Sequence, residues 1–432
     1  MQGDKGMGLV CVHVFGCRSS LCEGEYIAGR LKELGHDITE DLKDGITAAI
    51  IVTCSVTSEA DRKCRQMVRR ARKILGDDGV LAVSGCWGQS LDSGMAQSLG
   101  IDILGGTRGV SALIPSAVSE MLGHGREFRD IRRLDVHGWQ ELPLTQPVMH
   151  TRAFMKIQDG CNHFCTYCII PYLRGKPASR PENSIISEIH RLIDGGTKEV
   201  IFTGIHLGVY GHDNGTSLAR LIRRVSGISG LERLRLGSLE PFCLNDELLD
   251  ALAECAAFCH HLHLPLQSGD DEILSAMRRG YSTHDFVNVC RNARQKIDAS
   301  LHISSDILVG FPGESDSAFQ NTLDVMELAG LGRVHVFPYS ERPGTIAASL
   351  PGKIPHDVKI SRTSEAISLG RKLYADYVRG FTGHEVEILI ERDGRGYTRH
   401  YIEAHCEGGN NETVKAEVID IAGTRLECMR RN

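Results

Sequence analysis

The sequence predicts an α/β protein in three parts. These are an N-terminal open parallel-sheet α/β domain (1–125), a central (β/α)6 part-barrel (151–375) and a small C-terminal all-β barrel (380–432), with a linker at 126–150. Three observations carry this prediction. Apolar runs of strand length alternate with amphipathic helical stretches in two successive series. A polar, patternless stretch separates the series, and the last segment switches to short alternating runs broken by Gly and Asn. Of the 432 residues, 41% are hydrophobic and 24% charged, which fits a globular chain and excludes a disordered one. The net charge of −6 gives no general support for a nucleic-acid partner, so any polyanion site has to be a local patch. Apolar runs are far too short to span a membrane, and the opening M-Q-G-D-K-G-M-G lacks an export signal. The expectation is a soluble, cytoplasmic protein with no membrane partner.

In the first series the strands are L-V-C-V-H-V-F (9–15), A-A-I-I-V-T (48–53) and V-L-A-V-S (80–84). A helix over Ser58–Leu75 follows the second, with Cys64, Met67, Val68, Ala71, Ile74 and Leu75 at helical spacing and Ser58, three residues before Asp61, as its N-cap. The second series has strands at 153–158, 199–204, 233–238, 261–265, 302–309 and 333–337, separated by helices at 182–194, 216–226, 245–257, 284–297 and 315–329. Six βα units in succession point to a barrel or part-barrel with its chemistry at the carboxyl ends of the strands.

Fifteen cysteines are unusual in a chain without an export signal, where disulfides are a poor explanation. The strongest pattern is Cys161-Asn-His-Phe-Cys165-Thr-Tyr-Cys168, directly after the first strand of the second series. Three thiolates in one short loop can wrap a metal centre and leave one corner open, which favours an iron–sulfur cube with a free iron. The alternative is a zinc knuckle completed by His163 or a distant ligand. Cys17, Cys54 and Cys86 each follow a strand of the first series, and strand ends in one open sheet converge on a rim. The residues leave two readings, a shared site or three buried structural cysteines. Cys64, Cys255, Cys259 and Cys290 read as helical core, Cys11 as strand core, and Cys406 and Cys428 as part of the β module. Cys22 carries no clear role.

The C-x-x-x-C-x-x-C motif, with Tyr167 before its last cysteine, resembles the radical S-adenosylmethionine (SAM) enzymes. Three upstream cysteines and a C-terminal β domain narrow the resemblance to the methylthiotransferases, over essentially the whole chain. The motifs K-I-Q-D-G-C-N-H-F-C-T-Y-C-I-I-P-Y-L-R-G (156–175), F-T-G-I-H-L-G-V-Y-G (202–211), H-L-P-L-Q-S-G (263–269), S-D-I-L-V-G-F-P-G-E (305–314) and H-V-F-P-Y-S (335–340), with T-C-S-V-T-S-E-A-D-R-K (53–63), are similar to the branch that modifies N6-threonylcarbamoyladenosine in tRNA. There is one departure. The family usually follows its first cysteine with Lys or Gln, an apolar residue and Asn, whereas Cys17 is followed by Arg18-Ser19-Ser20.

The resemblance implies a cofactor set of two 4Fe-4S clusters and SAM. Cys161, Cys165 and Cys168 would hold the cluster whose open iron binds SAM, and Cys17, Cys54 and Cys86 the second. Tyr167, within the cysteine loop, would pack near the adenine of SAM; Thr203, Gly204, Glu240 and Gln267 stand at strand ends as SAM contacts, and for Glu240 the competing reading is a helix cap. The implied reaction places a methylthio group on carbon 2 of the adenine at position 37 of tRNA, with two SAM molecules consumed and a flavodoxin-like or ferredoxin-like electron donor. Methylthiolation of isopentenyladenosine or of a ribosomal-protein Asp are the alternatives within the family. A zinc-stabilised RNA-binding protein without catalysis is the alternative outside it. The segment from 380 looks like a TRAM module, an RNA-binding barrel in relatives, although residues 383–432 carry seven basic and ten acidic side chains. The basic run Arg62, Lys63, Arg65, Arg69, Arg70, Arg72 and Lys73 reads as a solvated helix face or as an RNA contact.

Overall fold

The computed structural model describes residues 8–132, 138–144 and 146–431, so the start of the chain and parts of the expected linker lie outside the described residues. The chain divides into two units. The first holds the described residues up to Phe164, then Cys168–Gly196 and Thr203–Ile205; the second holds Cys165–Tyr167, Thr197–Phe202 and the chain from His206 onward.

In the first unit, β1 (Leu9–Val14), β2 (Asp37–Thr39), β3 (Ala48–Thr53), β4 (Val80–Ser84), β5 (Ile103–Leu104) and β6 (Arg129–Asp130) form a parallel sheet in the order β2-β1-β3-β4-β5-β6. β3 and β4 are buried at every position, which is why they read as continuous apolar runs and not as alternating ones. Around the sheet run α1 (Arg18–Glu33), α2 (Ser58–Leu75), α3 (Gly85–Ser90), α4 (Ser93–Ser98) and α5 (Ile114–His124).

Cys64, Val68, Ala71 and Leu75 of α2 pack on Ala49, Ile51, Leu81 and Val83. Burial stabilises by about 1.5–3 kcal/mol for each large aliphatic side chain. The helix cap is Thr57, not Ser58: Thr57 has the extended backbone and accepts the Ala60 N–H at 3.1 Å, while Ser58 is already helical. The same unit continues through β7 (Ala153–Lys156), β8 (Gln158–Asp159), α6 (Ile170–Arg174), β9 (Ala178–Ser179) and α7 (Glu182–Asp194).

The second unit contains most of β10 (Glu199–Thr203), which pairs in parallel with β11 (Arg233–Leu236). It also holds β12 (His261–His263), β13 (His302–Val309) and β14 (Arg333–Pro338), parallel in that order. Single bridges Leu234 to Phe258 and Ser238 to His263 link β11 to the approach and body of β12. The connecting helices are α8 (Leu218–Ser226), α9 (Asp246–Glu254), α10 (Asp271–Met277), α11 (Thr283–Lys296), α12 (Asp316–Leu328) and α13 (His356–Arg379). α9 stops at Glu254, so Cys255 and Cys259 are not helical; they are buried on the approach to β12. β15 (Glu385–Arg392), β16 (Arg395–Thr398), β17 (Glu403–His405), β18 (Thr413–Ala422) and β19 (Arg425–Arg430) close a five-stranded barrel in the order β15-β16-β17-β19-β18. Among the described residues no helix is long and apolar enough to cross a membrane.

Candidate active site

The rim of the first sheet brings Cys17, Cys54 and Cys86 into one neighbourhood. Phe15 N–H donates to Val52 at the end of β3, and Thr53 bridges to Gly85 at the end of β4, so the three chains leave the sheet side by side. Each then turns into a helix: Cys17 stands at the N-cap position of α1 without a capping hydrogen bond from its side chain, Cys54 precedes the Thr57 cap and Cys86 lies in the first turn of α3. Gly85 has φ +88°, and a Cβ there would sit 2.4 Å from the Thr53 carbonyl oxygen, so the crossing needs glycine. A Cβ on Gly16 would lie 3.2 Å from Cys54 Cβ, which sets the Cys17 turn against Cys54. Among the described residues these three sulfurs do not form a cage with all ligand atoms within 4.8 Å, as a single ion would need. A cube attaches its cysteines to different irons and tolerates a wider spread.

Beside this rim is a buried charge cluster that the motif reading missed. Arg174, at the end of α6, is 1% exposed. Its Nε donates to Cys86 Sγ at 3.4 Å, and its Nη1 to Glu23 at 2.9 Å and Asp159 at 3.1 Å. Lys156 Nζ joins the same carboxylates at 3.1 and 2.9 Å. Burial alone would raise the Asp159 carboxyl, but Lys156 and Arg174 beside it hold it well below the usual range. Burial pushes the Cys86 thiol up to about 12 and the Cys54 thiol to about 11, while the Arg174 guanidinium pulls both the other way. Arg174 Nη2 is buried without a partner. Soft thiols flanked by a buried cation with a spare donor fit an anionic iron–sulfur group, whose sulfurs accept hydrogen bonds.

Cys161 and Cys168 begin and end the loop between β8 and α6. Cys161 N–H donates to the Gly175 carbonyl at 3.0 Å, closing the loop onto the end of α6. Its sulfur accepts the His163 N–H at 3.4 Å. Phe164 has φ +51°, and its ring meets Tyr172 edge-on at 5.5 Å. Hydrogen bonds to the sulfurs are a usual feature around cysteines that hold iron–sulfur clusters.

In the second unit Arg279 gathers three of the expected site residues. Its Nη1 donates to Cys165 Sγ at 3.3 Å, Tyr167 Oη at 3.5 Å and Glu240 Oε1 at 3.2 Å, and Nη2 pairs with Glu240 Oε2. Arg279 is 1% exposed, and Tyr281 Oη meets its Nε at 3.1 Å. Glu240 precedes a short 3-10 turn without capping it, so its carboxylate belongs to Arg279. Burial raises the Cys165 thiol, with Arg279 opposing. Gln267, at φ +67°, exchanges backbone bonds with Asp306 and Leu308 of β13. In the first unit, Thr203 is buried at the end of β10 and Gly204 lies against Gln158. Arg279 carried no sequence signal beyond an Arg-Arg-Gly after a helix, while Arg174 stood inside the I-I-P-Y-L-R-G run.

Comparison with known proteins identifies the family. The "Radical SAM superfamily" model matches residues 155–326, and "Uncharacterized protein family UPF0004" matches residues 9–106. A threonylcarbamoyladenosine tRNA methylthiotransferase MtaB of Bacillus subtilis is 33% identical over 96% of this chain and 94% of its own. One from Thermotoga maritima is 32% identical over 98% and 97%. A tRNA-2-methylthio-N(6)-dimethylallyladenosine synthase of Syntrophotalea carbinolica is 32% identical over 89% and 88%. Among solved structures, the radical SAM methyltransferase TsrM of Kitasatospora setae has a TM-score of 0.54 at 14% identity, covering 79% of this chain and 74% of that one. That likeness supports the fold alone. Membership of the radical SAM superfamily implies SAM and a 4Fe-4S cluster. With similarity at this level along nearly its entire length, the chain belongs to the radical SAM methylthiotransferases.

Proposed function

We propose that this enzyme replaces the hydrogen on carbon 2 of N6-threonylcarbamoyladenosine in tRNA with a methylthio group. The supporting observation is similarity along almost the whole chain to two enzymes named for that nucleoside, in a protein with two separate cysteine triads. Cys161, Cys165 and Cys168 would hold one 4Fe-4S cluster, and Cys17, Cys54 and Cys86 a second. SAM and the first cluster would supply the radical chemistry that removes the hydrogen, a further SAM would supply the methyl group, and the second centre would supply the sulfur. The chain's own residues position these groups. Arg279 fixes Tyr167 and the Glu240 carboxylate beside Cys165; Tyr167 would pack near the adenine of SAM, and Glu240, Gln267, Thr203 and Gly204 would be its further contacts. Arg174 neutralises the Cys86 surroundings. The electron comes from a flavodoxin-like or ferredoxin-like donor, and the TRAM-like barrel is an RNA-binding module. The proposed domains are 1–125, 151–375 and 380–432 with a linker at 126–150, except that β6 (Arg129–Asp130) within that linker pairs with β5 and so joins the first sheet.

A second reading, methylthiolation of the isopentenyl nucleoside, is favoured by the 32% identity to the dimethylallyladenosine synthase. Both are tested by incubating the anaerobically reconstituted protein with SAM, a reductant and tRNA carrying the two nucleosides, followed by nucleoside mass spectrometry. A methylthio product on the threonylcarbamoyl nucleoside alone is expected. Product on the isopentenyl nucleoside alone overturns the substrate, and 5′-deoxyadenosine without either product overturns the reaction. Iron analysis should find about eight irons per chain, falling to about four when Cys17, Cys54 and Cys86 become Ala. Four irons in both proteins exclude the second cluster.

A further inference from the structure

We infer that His260, Asp298 and His400 form a zinc site that fastens the C-terminal barrel to the parallel strands before it. The three come from distant points of the second unit: His260 directly before β12, Asp298 in the turn between α11 and β13, and His400 in the turn between β16 and β17. Their ligand atoms all lie within 4.8 Å of one another, the only such group of three or more among the described residues. His260 Nδ1 is 3.3 Å from Asp298 Oδ2, and the two imidazole rings meet nearly edge-on, 5.2 Å apart. Two imidazoles and one carboxylate are a zinc donor set, with water in the fourth position.

Outer partners hold each ligand. Ser300 Oγ lies 2.9 Å from His400 Nε2, and Asp298 Oδ1 accepts the Ser300 backbone N–H at 2.6 Å, which orients its other oxygen toward His260. Tyr377 Oη donates to the Ser300 carbonyl at 2.7 Å. His302 Nδ1 lies 2.7 Å from the His400 carbonyl oxygen, and Phe381 meets the His400 ring edge-on at 4.8 Å. Metal-bound histidines and carboxylates characteristically have such partners. The nearby cation Arg399 is already committed to Glu387 and to the carbonyls of Ala256 and Phe258. All three ligands are half-buried, leaving a path for the ion. None of them belongs to either cysteine triad, so the site holds a metal apart from the iron chemistry.

The test uses the full chain with its iron centres reconstituted in zinc-free buffer, then titrated anaerobically with zinc chloride. Expected are one zinc per chain beyond the iron, a rise in unfolding temperature, and a zinc-edge absorption spectrum with nitrogen and oxygen neighbours at about 2.0–2.1 Å. His260→Gln and His400→Gln should each weaken zinc binding at least tenfold to hundredfold, no less than the loss of an outer partner costs. Both should keep wild-type iron content and circular dichroism, which shows that they fold. The proposal is overturned if the wild type takes up no zinc, if both variants bind it unchanged, or if the neighbours are sulfur at about 2.3 Å.

Discussion

The consequences at the scale of single residues come from charges in dry places. Arg174 shares Glu23 and Asp159 with Lys156, and all four are buried. Arg174→Met would leave two buried carboxylates facing one lysine, a broken network that costs about 3–5 kcal/mol. Anaerobic urea unfolding should show that loss; a change below about 1 kcal/mol would mean that Lys156 alone satisfies both. Glu240→Gln tests the other cluster. If the carboxylate touches SAM, loss of a charged hydrogen bond of about 1.5–3 kcal/mol should weaken SAM binding by roughly 10–100-fold while iron content stays unchanged. Equilibrium dialysis measures this, and undiminished affinity would leave Glu240 as a partner of Arg279 only. The cysteines were legible in the sequence because their spacing and their places after strands are chain-local facts. Arg174 and Arg279 were not, because nothing local distinguishes an arginine turned toward a thiol from one turned toward water.

At the scale of elements, legibility followed hydropathy. The strands and the α2 stripe were readable because both faces of β3 and β4, and one face of α2, are apolar. α13 was not, since over twenty-four residues it buries only Arg362, Ala366, Gly370 and Val378. α1 hides its inner face in another way, burying Ser19, Ser20, Glu23 and Glu25. Glu25 reaches the segment before β7, where it accepts the Val148 N–H at 2.8 Å and the Met149 N–H at 3.2 Å and meets His150 Nδ1 at 2.6 Å. The Glu25 hydrogen bond raises the His150 pKa; burial and Arg152 oppose it and Glu40 adds to it. A histidine raised on folding contributes stability that is complete below its unfolded value of about 6.5 and is lost as pH climbs through the folded value. The Val148 and Met149 amides should therefore exchange hydrogen faster, relative to the intrinsic rate, as pH rises above neutral. His150→Gln should abolish that dependence, and equal slopes in both proteins would refute it.

For the whole molecule, the order of sheet, βα series and barrel was readable because a patternless stretch separates two series of alternating strands and helices and the last segment switches to short alternating runs. What holds the barrel in place was not, because the Arg233-Leu234-Arg235-Leu236 alternation imitates a strand with one face in water. Both faces are in fact buried, and the arginine face is covered by the barrel. Arg233 Nη1 donates to the Tyr397 carbonyl at 3.0 Å, Arg235 donates to the Thr398 and Arg399 carbonyls at 3.3 Å, and the Arg235 guanidinium stacks 4.6 Å from the Tyr401 ring centre. Glu199 on β10 is the counter-charge, 2.9 Å from Arg235 and 3.4 Å from Arg233, and all three side chains are fully buried. Glu199→Gln keeps the shape and removes the charge, leaving two guanidinium groups buried side by side with Glu387, 3.7 Å from Arg233, as a distant partner. Breaking a buried network in this way costs about 3–5 kcal/mol. The loss should fall first on the barrel, with residues 385–430 becoming open to proteolysis at urea concentrations that leave the N-terminal sheet protected. If the two lose protection together, the arginines serve the general fold and not the seating of the barrel.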